Sequence, residues 1–362
     1  MIQNAYFGFM EKKELRKGWT TGACATAAAR AAFSALCRGA FPDPVEIVLP
    51  KGQTPSFCLN RQELGAQYAW ASVIKDAGDD PDITHGAEIC VRVEWGAQSS
   101  GIVFKNGEGV GLVTKPGLPL EIGEPAINPM PRQMIVENLN AVKSNPDVIV
   151  TVSITHGEKL AEKTMNPRLG IMGGLSVLGT TGVVVPYSCS AWIHSIHRGI
   201  DVAKASGITH IAATTGSTSE KTACQLYDFD LSALIDMGDF AGGVLKYVRQ
   251  NPVEKLTLCG GFAKFCKLAQ GEMDLHSSRS RVDFEQLAQW MKEAGADHDL
   301  QEKAREANTA LEVLELSIAH EIGLADLVVH RAKEVAQAIV SGHCEIEVIA
   351  VNRKGEVVGH VG

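Results

Sequence analysis

The sequence predicts a mixed protein in which an α+β region is followed by an α/β region, and three observations predict it. An alanine-rich stretch, GWTTGACATAAARAAFSALCRGAF, precedes a series of short β-type runs between Val45 and Thr114. Later, three units of strand, glycine turn and helix succeed one another, with Gly216, Gly238 and Gly260 each 22 residues apart. Between these regions, residues 115–186 are irregular and rich in proline and glycine. At 362 residues the chain has room for two cores, taking about 150 residues per domain.

Composition narrows the function before any motif is weighed. With 45% hydrophobic and 21% charged residues the chain is ordinary for a soluble globule, and no apolar run reaches the roughly 20 residues that span a bilayer. The start, MIQNAYFGFMEKKELRKG, lacks an apolar core of signal-peptide length, so it is expected to be a short arm on a cytoplasmic protein. Nine scattered cysteines with no C-x-x-C fit a reducing compartment and predict neither a disulfide framework nor a protein metal site. A net charge of -8 argues against nucleic acid as a partner, because phosphate neutralisation needs a basic face. Nothing points to a membrane, and the assembly state stays open, a homodimer among the options.

Taken in order, the alanine stretch is expected to form a helix of about four turns. Thr20, Thr21 and Gly22 supply an N-cap region, and Gly39 stands where a C′ glycine would. Its first turn carries two hydroxyls and no carboxylate, which suits an anion as well as it suits simple packing, and makes Thr21 a candidate contact. The runs VEIVLP, SFCL, YAWASVIK, AEICVRVEW, GIVF and GVGLVT then predict an antiparallel sheet with that helix on one face. Within it, KDAGDDPDITHG places Asp76, Asp79, Asp80 and Asp82 in seven residues without EF-hand spacing. It reads either as a solvated turn or as a site for a cationic or proton-donating group.

Residues 115–186 hold KPGLPLEIGEPAINPMPRQMI and NPRLGIMGGLSVLGTTGVVVP on either side of one β-type run, DVIVTVSI. The second stretch has five glycines from Gly170 to Gly182, several aliphatic side chains, and Arg168 at its mouth. It contains neither G-x-x-x-x-G-K-[ST] nor G-x-G-x-x-G, which removes the simple nucleotide motifs. Either a broad apolar ligand lies against bare backbone here or the stretch is a glycine-rich crossover.

From Ser190 the pattern turns helical, and then HIAA runs into TTGSTSE, LSALID into MGDFAGG, and KLTLC into GGFAKF, each followed by a helix. Repeated units of this kind predict a parallel, right-handed βαβ sheet with its crevice at the carboxyl ends of the strands. That rim carries Thr214, Thr215, Gly216, Gly238, Asp239, Gly260 and Gly261. An acid after the second strand, Asp236 or Asp239, is placed to bond ribose hydroxyls. Without a pyrophosphate loop, the favoured ligand is an adenosine cofactor lacking phosphates, a description S-adenosylmethionine meets. Beyond the third unit, Lys264, Lys267, His276, Ser277, Ser278, Arg279 and Arg281 form a cationic and hydroxylic cluster suited to carboxylates. Helices near Leu287–Ala294, Ala310–Ile322 and Leu327–Val340 and a closing hairpin around an Asn352–Gly355 turn read as structural.

With these residues in hand, the chain resembles the CbiD family, the cobalt-precorrin-5B C1-methyltransferases of corrin-ring synthesis. The resemblance runs over roughly residues 15–360 on RKGWTTGACATAAARAA, KDAGDDPDITHGA, GEPAINPMPRQMI, KTMNPRLGIMGGLSVLGTTGVV, TTGSTSE, DMGDFAGG and GGFAKFCKLAQGEMDLHSSRS. It departs from the family's usual pattern at Thr155 and His156, where many members carry a glycine pair, and at GGFAKF, which lacks the histidine often seen at the second position of that turn. The resemblance implies a two-layer α+β N-terminal domain over residues 1–186 and a Rossmann-like parallel-sheet domain over residues 187–300. The helices and terminal hairpin of residues 301–362 belong to either. It further implies methyl transfer from S-adenosylmethionine to C1 of a tetrapyrrole that brings its own cobalt. A flat macrocycle rimmed by carboxylates would meet Thr21, Arg132, Arg168, Gly173, Gly174, Lys264 and Arg279, with Lys163, Lys267 and Arg281 as further cations. If a general base takes part, His276, Asp239 and Asp79 are the candidates. A nicotinamide-dependent reductase and a non-catalytic tetrapyrrole carrier are the competing readings.

Overall fold

The computed structural model describes residues 14–342 and 344–362, so the arm read at the start of the chain falls outside it up to residue 13. The chain divides into two compact units. One comprises residues up to 112, 123–164 and 172–188, and the other residues 113–122, 165–171 and 189–362.

The first unit is built around α1 (Thr21–Arg38), whose ends are those the sequence predicts. Thr20 is extended and its hydroxyl accepts from the Ala23 N–H, while Gly39 closes the helix with φ +78°. The longer strands that follow are β1 (Arg61–Leu64), β2 (Tyr68–Ile74), β3 (Glu88–Trp95) and β4 (Ile102–Asn106), then α2 (Pro129–Asn140) and β5 (Val148–Ile154). They form one sheet in the order β1-β2-β3-β5-β4. Alanines from Ala23 to Ala35 are fully buried because the helix lies against both the sheet and α2, and side chains of one carbon let all three come close. Phe33 fills the remaining space, and removing a buried phenylalanine of this kind costs about 3–5 kcal/mol.

Two expectations are corrected here. The run DVIVTVSI, set outside the first sheet by its proline-rich flanks, is β5 and lies between β3 and β4, antiparallel to one and parallel to the other. The sheet is therefore mixed. Its strand alternation is strict, with Val148, Val150, Val152 and Ile154 buried, and residues 107–147 supply the long crossover a parallel neighbour requires. The segment GEPAINPMPRQMI, read as irregular, contains the start of α2. Pro129 and Pro131 sit in the first turn, where no backbone N–H is needed. At the position where the family's glycine pair is absent, His156 takes a positive φ of 57°.

The second unit contains α3 (Cys189–Ala205), β6 (His210–Thr214), α4 (Ser217–Leu226), β7 (Leu234–Asp236), α5 (Ala241–Gln250), β8 (Lys255–Gly261) and α6 (Phe262–Ala269). It continues through α7 (Phe284–Glu293), α8 (His298–Glu306), α9 (Ala310–Ala319), α10 (Leu324–Val340), β9 (Glu345–Val351) and β10 (Val357–Val361). The strand order is β7-β6-β8-β9-β10, parallel throughout except for the antiparallel β10. The closing hairpin thus completes this sheet. Alternation along the strands separates two cores. Ile211, Leu256, Leu258, Ile346 and Val348 join the large one with α3, α5, α6, α7 and α10. Ala212, Cys259, Ile349 and Val351 join a small one with Ala223 of α4. Helix α8, HDLQEKARE, has no counterpart in the sequence reading because only Leu300 and Ala304 give it an apolar side; Asp297 caps its start.

On the α4 face, in the amino-terminal half of the strands, a polar network closes on itself. The buried Glu347 carboxylate accepts from Thr257 Oγ1 at 2.5 Å and from the Tyr227 hydroxyl at 2.6 Å, with His360 Nε2 at 3.0 Å and Lys255 Nζ at 3.4 Å. Burial pushes this carboxyl up, but those partners outweigh it and hold it at about 2.

Candidate functional site

At the opposite ends of the same strands the arrangement is different. From β6 the chain crosses to β7 on one side, then returns to β8 on the other, so the strand order reverses between β6 and β8. Loops leaving a parallel sheet diverge at such a point and leave a crevice. Here it measures about 520 Å³, and its walls are residues 215–219, 261–264, 309–311 with Leu314, and 351–353.

The glycines on this rim do distinct work. A Cβ on Gly216 or Gly261 would meet nothing within 4 Å, so their bare backbone faces open space. A Cβ on Gly260 would fall 2.6 Å from Thr215 Cγ2, so that glycine serves close packing. Gly238, with φ +55°, lies under Trp192, whose indole N–H donates to the Asp236 carbonyl at 3.1 Å. Thr214 anchors the neighbouring loop, its carbonyl accepting from the N–H groups of Met237 and Gly238. The Thr214 hydroxyl is fully buried and has no partner among the described residues. Ser219 closes the first loop by donating to the Gly216 carbonyl at 2.8 Å and accepting from the Thr215 N–H.

Beside the crevice the structure gathers Asp239, Lys264 and the loop bearing His276. Lys264 Nζ is 2.6 Å from Asp239 Oδ1, and the Leu275 N–H donates to the Asp239 carbonyl at 2.8 Å. His276 Nδ1 lies 2.7 Å from the Ser278 hydroxyl, and Arg279 bonds Asp274 at 2.9 Å and donates to Cys189 Sγ at 3.2 Å. Lys267, grouped with the clamp in the sequence, is instead buried and donates to the Leu275 carbonyl, which fixes the loop. Burial pushes the Asp236 carboxyl up, with Arg168 opposing the shift. Arg168 itself forms a two-point pair with Glu220, at 2.7 and 2.8 Å.

The remaining candidates lie in the first unit, and most are engaged within it. At the start of α1, where the sequence left an anion contact and simple packing both open, the Gly22 and Ala23 N–H groups and the Thr21 hydroxyl are engaged within the protein. Gly22 donates to the Leu178 carbonyl, Ala23 to Thr20 Oγ1, and the Thr21 hydroxyl exchanges hydrogen bonds with the Leu178 backbone in both directions. Arg132 donates to the Ile127 and Pro125 carbonyls and pairs with Glu124. The Asp79 carboxylate accepts from the Arg16 N–H at 2.7 Å. The other acids of that cluster are similarly held. Arg16 pairs with Asp76, keeping its carboxyl at about 2, the Tyr187 N–H reaches Asp80, and the buried Lys75 pairs with Asp82. A Cβ on Gly174 would fall 2.4 Å from the Gly109 carbonyl carbon, whereas Gly173 faces open space.

Sequence reasoning missed the far wall of the crevice. Leu311 falls in a helix and Asn352 and Arg353 in a turn that the sequence reads as structural, and Thr309 stands just before that helix. The available signal was the end of the run EIEVIAV, where Val348 to Val351 are continuously apolar, as a central parallel strand is. A fourth strand in the parallel sheet places the residues after it on the same rim. Among the described residues no cluster of three or more His, Cys, Asp or Glu could hold a metal ion. Nor is any described helix long and apolar enough to cross a membrane.

Fold and site together define a mixed α/β protein whose second unit has an open crevice at the reversal point of its parallel strands. A family model described as CbiD matches residues 9–186, and one described as CbiD, C-terminal domain, matches residues 274–362. The chain belongs to the CbiD family. It is 54% identical over 356 residues to the cobalt-precorrin-5B C(1)-methyltransferase of Brucella anthropi, covering 97% of each chain. It is 52% identical over 354 residues to the protein of the same name from Paramagnetospirillum magneticum, covering 96% of this chain and 99% of that one. A solved structure, the cobalamin biosynthesis protein cbiD of Archaeoglobus fulgidus, is 28% identical and matches 73% of this chain and 83% of its own, with a TM-score of 0.39.

Proposed function

We propose that this protein transfers a methyl group from S-adenosylmethionine to C1 of cobalt-precorrin-5B in a reducing cytoplasm, using the parallel sheet of the second unit in the Rossmann-like manner. The observation that carries the reading is the open crevice where Gly216 and Gly261 present bare backbone beside an apolar wall of Phe262, Ala310, Leu311 and Leu314. Such a crevice fits a nucleoside with a short tail, and its volume of about 520 Å³ suits a ligand of that size. When bound, the sulfonium supplies an electrophilic methyl group. The protein's own contribution is to align the two reactants and exclude water, because a ring carbon made electron-rich by enamine conjugation needs no covalent intermediate to attack it.

The rim residues divide this work. Asp239, paired with Lys264 beside the crevice, would meet the ribose hydroxyls, and Thr215, Gly216 and Gly261 in its walls would border the cofactor. Among the described residues Lys264 and Arg279 each pair with a single acid, Asp239 and Asp274, so a substrate carboxylate would have one competitor at each cation there. The ring's cobalt belongs to the substrate.

Calorimetric titration of the full chain with S-adenosylhomocysteine, and separately with NADPH, tests the proposal. Micromolar binding of the first and none of the second is expected, weakened in Asp239→Ala. NADPH binding alone would overturn it in favour of a reductase, and tight tetrapyrrole binding without either nucleotide would leave a carrier.

A further inference from the structure

The crevice has two cations in its walls, and they are not equivalent. Lys264 is neutralised by Asp239 at 2.6 Å. Arg353 is exposed at the far wall, and no acid among the described residues lies within ion-pair distance of it. An arginine left without a carboxylate beside an open crevice in an acidic protein has its five donors available for a planar anion.

The backbone that carries it is anchored. Arg353 lies in the turn between β9 and β10, which Asn352 closes by accepting from the Lys354 and Glu356 N–H groups at 2.9 and 3.1 Å. The Gly355 carbonyl of the same turn accepts from Thr222 Oγ1 of α4 at 2.8 Å. That helix begins at Ser217, in the opposite wall, so the span from its first turn to Arg353 is set by hydrogen bonds on both sides. A rigid support of this kind is what a directional carboxylate contact requires.

We propose that Arg353 receives the α-carboxylate of the methyl donor and thereby sets which end of that molecule faces the fourth strand. The inference rests on the methyl-donor reading above. It selects ligands that carry an amino-acid tail over nucleosides that lack one, since the tail alone reaches the guanidinium.

Calorimetry with two probes, S-adenosylhomocysteine and 5′-methylthioadenosine, on the wild type, Arg353→Gln and Arg353→Lys tests it. The wild type should bind the first more tightly. Arg353→Gln should weaken S-adenosylhomocysteine at least tenfold and leave 5′-methylthioadenosine within twofold. Arg353→Lys should fall between, because it keeps the charge and loses the fork. The side chain is exposed, so a circular-dichroism melt matching the wild type is expected for each variant. Equal weakening of both probes, or of neither, would overturn the assignment of Arg353 alone. Failure of the wild type to bind S-adenosylhomocysteine would overturn the methyl-donor reading itself.

Discussion

Two glycine-rich regions of this protein look alike in sequence and differ in space. In the stretch from Gly170 to Gly182, the positions of four glycines are closed by the protein itself: a Cβ would strike Lys115 at Gly170, Gly109 at Gly174, Thr20 at Gly179 and Leu49 at Gly182. At the crevice, Gly216 and Gly261 face nothing within 4 Å. A missing side chain therefore signals either that the chain must approach itself or that something else approaches the chain, and composition does not distinguish these. The same division runs along the parallel sheet of the second unit. Its α4 face holds Glu347 in a closed set of partners, while at its carboxyl ends Arg353 has no acid beside it among the described residues.

The largest test of this contrast is Gly174→Ala. The added carbon would lie 2.4 Å from backbone atoms of Gly109, which cannot rotate away. We expect a loss of about 4 kcal/mol or more in urea denaturation, in the range where one named clash accounts for the whole effect. Recovery of near wild-type stability would mean that this stretch is open after all.

A somewhat smaller effect concerns the closed network. The Glu347 carboxyl is held at about 2 when folded, below its ordinary 4.5. Its stabilisation is therefore complete above about pH 5 and is lost as the pH falls toward 2. The contribution is about 2 to 4 kcal/mol by linkage. Denaturation curves between pH 3 and 7 should show this acid limb in the wild type and a flatter one in Glu347→Gln. Parallel limbs would show that the network does not hold the charge.

The smallest test separates adjacent glycines. Gly260→Ala should cost about 1–2 kcal/mol, because Thr215 must move. Gly261→Ala, with φ near -65° and free space, should stay within about 0.5 kcal/mol. Gly261→Val should keep its melting temperature and lose at least tenfold in S-adenosylhomocysteine affinity, read by calorimetry. The reverse pattern would exchange the roles assigned to the two positions.

Much of this architecture was legible because local signals agreed with one another. The caps of α1, the 22-residue spacing of Gly216, Gly238 and Gly260, and the strands they follow all emerge from the chain in the places the sequence predicts. Strand pairing over long separations was not legible, since nothing local in VIVTVSI says that it inserts between two earlier strands. The site was legible as loops and not as contacts. Thr215, Gly216 and Gly261 could be placed on a rim from their strands. The pairing of Arg168 with Glu220 or Lys264 with Asp239 depends on tertiary distance, which a cation's position in sequence does not carry. Arg353 escaped notice because a turn after the last long strand looks like any surface turn until that strand is known to be parallel.

The insertion of β5 between β3 and β4 also governs the order in which the first unit can assemble. Among the described residues β4 pairs only with β5, which arrives after residues 107–147, so this edge cannot form by hairpin growth. Its closure requires a long loop to find its ends first, a slow entropic search that local helix formation in α1 does not shorten. Until that search succeeds, β3 and β4 each show an unsatisfied edge, and this interval is when the nascent protein is most exposed to pairing with another chain.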